Sequence, residues 1–201
     1  MHATKKKEIE KRAIVNQKSN HMNTTTIGFI GGGRITKIFL QAFRNKSVLF
    51  KETVVYDPNQ EICKSLKSQF SDIQIAKSVE QTAKQDLVVL AVHPPVIMET
   101  LNAIKGQLQN NATILSLAPK ITIAKIEELL NTKEIARMIP NATSYINKGY
   151  NPVSFHPTIN AELKKNLMQL FASLGEIFEV KESQLEAYAI ISAMLPTYFW
   201  F

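Results

Sequence analysis

Gly28, Gly31, Gly32 and Gly33 crowd into the stretch Thr26-Ile27-Gly28-Phe29-Ile30-Gly31-Gly32-Gly33-Arg34-Ile35, where an apolar run turns on glycine into a helical pattern. Glycine at 31 permits a tight turn, and glycine at 33 places no Cβ between the backbone and an approaching anion. The N–H groups and positive dipole end of the helix that follows then face that anion, which is the chemistry of holding a dinucleotide pyrophosphate. Gly28, Ile30, Gly31, Gly32, Gly33, Arg34 and Ile35 are therefore candidate cofactor contacts. Arg34 either pairs with a phosphate or is a solvated surface residue. Thr36 stands where the usual fingerprint has its third glycine, which predicts a slightly loosened helix–strand contact and a shifted helix.

Asp57 closes a second β-type run, Lys51-Glu52-Thr53-Val54-Val55-Tyr56, about twenty residues past the turn, where a ribose-binding carboxylate belongs. A carboxylate there accepts hydrogen bonds from ribose hydroxyls and repels a 2′-phosphate, so the expected cofactor is NADH or NADPH with NADH favoured. Asp57 also suits the start of an Asp57-Pro58-Asn59 turn. Further candidates follow the later apolar runs: Ala91, Val92, His93 and Pro94 after Leu87-Val88-Val89-Leu90, Ser116 after Thr113-Ile114-Leu115, and Asn141 after Arg137-Met138-Ile139-Pro140. Polar residues at the carboxyl ends of strands lie on the edge where doubly wound sheets bind ligands. His93 would titrate near neutral pH beside a cofactor or serve as a hydrogen-bonded strand end, and Pro94 sets the exit direction of its loop. Arg137 lies inside its strand, which predicts a structural ion pair.

The elements that must position these residues alternate. Helices are predicted over residues 34–46, 59–70, 96–108, 122–130 and 161–174, with Thr122 as an N-cap. Strands are predicted over 26–30, 51–56, 73–76, 87–92, 113–117, 134–139, 153–155 and 176–180. The unbroken apolar run ending before His93-Pro94-Pro95 marks a central parallel strand covered on both faces. The fold class is α/β, a doubly wound, mostly parallel Rossmann-type sheet. Residues 187–201 are almost wholly apolar, too short for a membrane span and broken by Pro196, which predicts burial against another subunit or against further chain.

Five motifs, in order and with matching gaps, resemble the pyrroline-5-carboxylate reductase family over residues 27–201. They are Gly28 to Ile35, against Gly-Phe-Ile-Gly-Gly-Gly-Asn-Met, and Ala91-Val92-His93-Pro94, against Ala-Val-Lys-Pro. The next are Ser116-Leu117-Ala118-Pro119-Lys120-Ile121-Thr122, against Ser-Ile-Ala-Ala-Gly-Ile-Thr, and Arg137-Met138-Ile139-Pro140-Asn141 with Gly149. The last is Glu182 and Glu186-Ala187 leading to Ser192-Ala193-Met194-Leu195-Pro196-Thr197-Tyr198, against Glu-x-x-x-Asp-Ala and Ser-Gly-Ser-Gly-Pro-Ala-Tyr. The resemblance implies an NAD(P)H-dependent oxidoreductase of proline biosynthesis that reduces the C=N bond of 1-pyrroline-5-carboxylate. It puts His93, Pro94, Asn141, Glu182 and Ser192 near nicotinamide and substrate, and Gly28 to Ile35, Asp57, Ala91 to Pro94 and Ser116 around the cofactor. Ala193, Met194 and Leu195 replace the family's Gly-Ser-Gly, so the cofactor half of the likeness is better kept than the substrate half. That change also fits a dinucleotide-binding relative with a regulatory or interaction role. Related hydroxyacid or amino-ketone reductases usually carry a catalytic Lys early in their helical domain, and no Lys follows Lys181 here.

Domain boundaries follow: a basic extension or expression leftover over 1–22, the dinucleotide-binding domain over 23–181, and the start of a truncated helical dimerisation and substrate domain over 182–201. The net charge of +7 at first suggests nucleic acid, but six Lys or Arg against two Glu place +4 of it in residues 1–21. The expected partners are a small-molecule substrate and a second copy of the chain through the C-terminal helical region, with no nucleic acid and no membrane. Cys63 is the single cysteine, read as a packing residue, and His2, His21, His93 and His156 have no ligand spacing, so no metal is expected. A reducing, cytoplasmic setting is the corresponding expectation.

Overall fold

A computed structural model describes residues 24–191. The strands are β1 (Thr26–Ile30), β2 (Glu52–Tyr56), β3 (Gln74–Ile75), β4 (Leu87–Leu90), β5 (Thr113–Ser116), β6 (Ile135–Met138), β7 (Gly149–Phe155) and β8 (Gly175–Glu179). The helices are α1 (Arg34–Asn45), α2 (Gln60–Gln69), α3 (Val79–Ala83), α4 (Pro94–Ile104), α5 (Ile123–Leu130), α6 (Ala161–Phe171) and α7 (Glu182–Ala189), with 3₁₀ turns at Ala142–Ile146 and Ala172–Leu174. The strands form one eight-stranded sheet in the order β3-β2-β1-β4-β5-β6-β7-β8. All neighbours are parallel except β6 and β7. The α/β, doubly wound, mostly parallel architecture is the one read from the alternating pattern, and the chain ends its described part in a helix.

The hydrophobic pattern places these elements. In β4 all four residues are buried, and they alternate between two cores: Leu87 and Val89 join Ile27, Phe29 and Leu115 on one face, while Val88 and Leu90 join Ile30, Ile114 and Ile135 on the other. On the first face Phe29, Phe39 and Phe43 form consecutive edge-to-face contacts at 6.1 and 5.9 Å, pinning α1 to β1. Each such contact contributes about 0.5–1.5 kcal/mol beyond its buried area. Helix starts are set by side-chain caps: Asn59 accepts from Glu61 N, Thr122 from Lys125 N, and Asn160 from Glu162 N and Leu163 N.

Four elements depart from the sequence expectation. Helix α3 has five residues, one turn begun by Ser78, too short to show a helical period. Helix α4 starts at Pro94 and stops at Ile104, because the two prolines occupy its first turn, where a missing N–H costs nothing. Pro94 therefore opens a helix and does not direct a loop. Strand β7 runs from Gly149 and not from residue 153, and it is antiparallel to β6 because the 3₁₀ turn Ala142–Ile146 reverses the chain. Asn147, at φ 60°, holds that reversal by donating to Ala42 O at 2.9 Å and Ser173 O at 2.6 Å. Helix α6 gives way to a 3₁₀ turn at Ala172, ahead of the predicted end.

Candidate functional site

The chain leaves β1 toward β2 and β3 on one side, then returns through β4 on the other side of β1. The β1/β4 boundary is thus the point where the winding reverses, and a crevice opens outside the carboxyl ends of those strands. The glycine turn lies there. Gly31 N donates to Tyr56 O at 2.8 Å, and Gly31 holds φ at 103°, a backbone state that favours glycine. A Cβ at this position would come within 2.5 Å of Ala91 O, so bare backbone is required on both counts. At Gly33 a Cβ would meet nothing within 4 Å, leaving the N-cap of α1 open to a ligand. No side chain caps α1 and no acidic residue lies in its first turn, so its leading N–H groups are available to an anion.

The carboxylate of Asp57 is folded into this turn. It is 9% exposed, its Oδ2 accepts from Gly32 N at 2.8 Å, and its Oδ1 accepts from Asn59 N at 2.8 Å. Asp57 starts the turn into α2, as one reading of it expects, and its carboxylate sits against the glycine loop. A carboxylate offers about four acceptor positions, so two remain for ligand hydroxyls. Behind it, Cys63 Sγ lies 3.5 Å from Asp57 O, and burial pushes the thiol pKa up, which suits a packing residue. Thr36 corrects the expectation of a loosened helix: its buried hydroxyl donates to Gly31 O at 2.5 Å and stitches α1 to the turn.

The remaining predicted residues divide. Ala91 N donates to Ile30 O at 2.8 Å, bringing Ala91 and Val92 beside Gly31. His93 is the exposed N-cap of α4 and lies at the same edge, but Pro94 and Pro95 carry no N–H and Val96 N donates to His93 O at 3.1 Å, so the anion-facing donors come from α1 and not from α4. Ile30 is buried, Ile35 packs into the first core, and Arg34 is exposed. Arg34 and Lys37 border a groove of about 420 Å³ with Gly32, Gly33, Ile62 and Leu66. A larger groove, about 790 Å³, runs by Ile123, Glu127, His156 and Lys181, but no residue of the glycine turn borders it. Uncapped backbone beside the glycine turn, and not volume, marks the candidate site.

Other expectations are corrected. Gly28 lies within β1 below the turn, where a Cβ would be 2.4 Å from Thr82 O, so its small size serves the packing of α3 and not cofactor contact. Ser116 is 1% exposed and paired in register with Leu90 and Arg137, closed away from the ligand edge. Asn141 caps the 3₁₀ turn, its Oδ1 accepting from Thr143 N and Thr143 Oγ1. Glu182 is not aimed at a nicotinamide position: its Oε1 accepts from Arg137 Nη1 at 2.8 Å and Ile123 N at 2.7 Å. Arg137, 3% exposed, forms the structural pair that its place inside a strand predicts, and also reaches Glu186 Oε1 at 3.0 Å. Glu186 and Lys120, which residue-by-residue reasoning left without a role, join through Lys120 N at 3.0 Å. The i,i+4 spacing of Glu182 and Glu186 was the available signal. Ser192 lies outside the described residues, as do Ala193 to Leu195. Among the described residues no helix is long and apolar enough to cross a membrane, and no group of His, Cys, Asp or Glu is arranged to hold a metal.

A family profile described as NADP oxidoreductase coenzyme F420-dependent matches residues 26–120. The chain is 28% identical over 178 residues to pyrroline-5-carboxylate reductase of Corynebacterium melassecola, covering 87% of this chain and 66% of that protein. It is 25% identical over 201 residues to pyrroline-5-carboxylate reductase 1 of Bacillus subtilis, covering 98% and 65%. The crystal structure of Plasmodium falciparum pyrroline carboxylate reductase with NADP bound superposes with a TM-score of 0.77 at 25% identity, covering 89% of this chain and 66% of that one. The chain thus spans about 65% of the length of the relatives it matches.

Proposed function

We propose that this chain carries the N-terminal NAD(P)-binding domain of the pyrroline-5-carboxylate reductase family and serves an imine reductase converting 1-pyrroline-5-carboxylate to L-proline. The observation that carries the reading is the open N-cap at Gly33, beside a glycine turn that no side chain could replace at Gly31. A bound reduced dinucleotide would supply the hydride for C5 of the iminium, the C=N π pair passing to nitrogen. An iminium accepts hydride readily, so the protein's part is positioning and charge balance. Here the N–H groups at the start of α1 would hold the pyrophosphate, Asp57 would accept from ribose, and Ala91, Val92 and the start of α4 would border the nicotinamide side.

Within this reading NADH is the favoured cofactor, because the Asp57 carboxylate repels a 2′-phosphate. A second reading, NADPH, is favoured by Arg34 and Lys37 at the groove beside Gly33 and by the NADP of the Plasmodium falciparum relative. The substrate is a small molecule and the chain acts as a homo-oligomer through its C-terminal helical region, without nucleic acid or membrane, in the cytoplasm. The test is hydride transfer across a panel of cyclic imines and ketoacids with NADH and NADPH, with calorimetric dinucleotide binding in parallel. Oxidation of NADH dependent on 1-pyrroline-5-carboxylate supports the proposal. Dinucleotide binding with no turnover would replace it with the dinucleotide-binding relative of regulatory or interaction role, which the replacement of Gly-Ser-Gly by Ala193, Met194 and Leu195 favours. Sedimentation as a monomer would overturn the oligomer.

A further inference from the structure

The turn between β5 and α5, residues 117–122, leaves the sheet on the ligand edge. Its first residue is tied to the cofactor strand, since Leu117 N donates to Leu90 O at 3.0 Å, one residue before Ala91, whose carbonyl closes over Gly31. Lys120, in the middle of the turn, holds φ at 62°. That left-handed state favours glycine, and a long side chain stays in it only where the surroundings hold it. The holding group comes from another element. Glu186 Oε1, on α7, accepts the Lys120 amide at 3.0 Å, while Glu182 Oε1, one helical turn earlier, accepts Ile123 N at 2.7 Å at the far end of the turn. Arg137 binds both carboxylates, at 2.8 and 3.0 Å, and its Nη2 also reaches Ala118 O at 3.4 Å. Five hydrogen bonds around Arg137, 3% exposed, therefore fasten the middle and far end of the turn to one face of α7 and its near end, Ala118, to Arg137.

We infer that Arg137, Glu182 and Glu186 form a latch through which α7 sets the conformation of the β5–α5 turn, making Glu186 a positioning residue for dinucleotide binding. The inference rests on the dinucleotide reading above. The route is contiguous: Glu186 to Lys120, along the turn to Leu117, across to Leu90 and Ala91, and so to Gly31. Loss of the latch frees Lys120 to leave positive φ, and the mouth beside Ala91 loses its set position.

The test uses the full chain and four forms of it: Glu186→Ala, Glu186→Gln, Lys120→Gly, and Glu186→Ala combined with Lys120→Gly. Amide exchange reads the turn, calorimetry with NADH and NADPH reads affinity, and thermal melting reads the whole fold. Glu186→Ala speeds exchange in residues 117–122 and weakens the preferred dinucleotide about tenfold, within the usual range of coupling between sites. Glu186→Gln, which keeps an acceptor for the Lys120 amide, loses less. Adding Lys120→Gly to Glu186→Ala recovers part of the affinity, because glycine adopts positive φ without the Cβ penalty that the anchor offsets. Unchanged exchange or affinity in Glu186→Ala, or a double variant no better than Glu186→Ala, would overturn the latch; so would faster exchange throughout the sheet with a matching fall in melting temperature. Failure of the unmodified chain to bind either dinucleotide would overturn the coupling together with the proposed function, whereas its binding with unaltered variants would overturn the latch alone.

Discussion

At the scale of single residues, the site is made of what side chains leave out. Gly31 combines a φ of 103° with a Cβ position 2.5 Å from Ala91 O, so Gly31→Ala strains the backbone and displaces the mouth of β4 together. The expected cost is about 1–3 kcal/mol of stability, read by urea unfolding, with loss of dinucleotide affinity read by calorimetry. Asp57 was legible as an acidic residue at the right distance, but its bond to Gly32 N was not, because that contact depends on how closely β2 ends beside the turn. Cys63 gives a residue-level check on burial. Its thiol pKa is raised, first by desolvation, so it is neutral at pH 7 and below its folded pKa, and the stability owed to burying it neutral is lost as pH rises through that value. Reaction with a thiol reagent at pH 7 is expected to be slow until denaturant is added, and rapid labelling of the native chain would contradict the placement.

Elements explain which glycines belong to the ligand and which to packing. Gly28 is part of the same sequence motif as Gly31 and Gly33, yet it faces α3, a single turn whose existence no periodicity announced. Gly28→Ala is accordingly expected to destabilise the fold by about 1–3 kcal/mol through overpacking against the Thr82 carbonyl. A variant that still folds should bind dinucleotide with near-parent affinity, and a selective loss of binding at unchanged stability would return Gly28 to the cofactor site. Long, strongly patterned elements such as α1 and β4 could be read directly because burial imposes their apolar spacing. The start of α4 could not, because two prolines read equally as a loop or as a first helical turn, and only the packing of Ile97, Leu101 and Ile104 decides between them.

For the whole molecule, charge and site are separate. Much of the basic excess belongs to residues 1–21, while the dinucleotide crevice is assembled from β1, β2, β4 and the helices that follow them. Removal of residues 1–21 is expected to leave dinucleotide affinity unchanged and to abolish any salt-sensitive attraction to polyanions. Affinity for DNA that persists after the deletion would contradict the proposal that nucleic acid is not a partner. What the sequence alone determined was the α/β order, the parallel centre of the sheet, the glycine turn and the family likeness, since these follow from local spacing and from glycine's unique backbone freedom. Tertiary structure alone decided that Thr36 closes the turn, that Ser116 is shut away, and that Glu182 and Glu186 serve Arg137 and the β5–α5 turn. Those roles depend on residues 45 and 49 positions apart meeting Arg137, a buried cation that must find its carboxylates, and on Lys120 and Glu186, 66 apart, meeting at the surface beside it, and no local pattern encodes which partners meet.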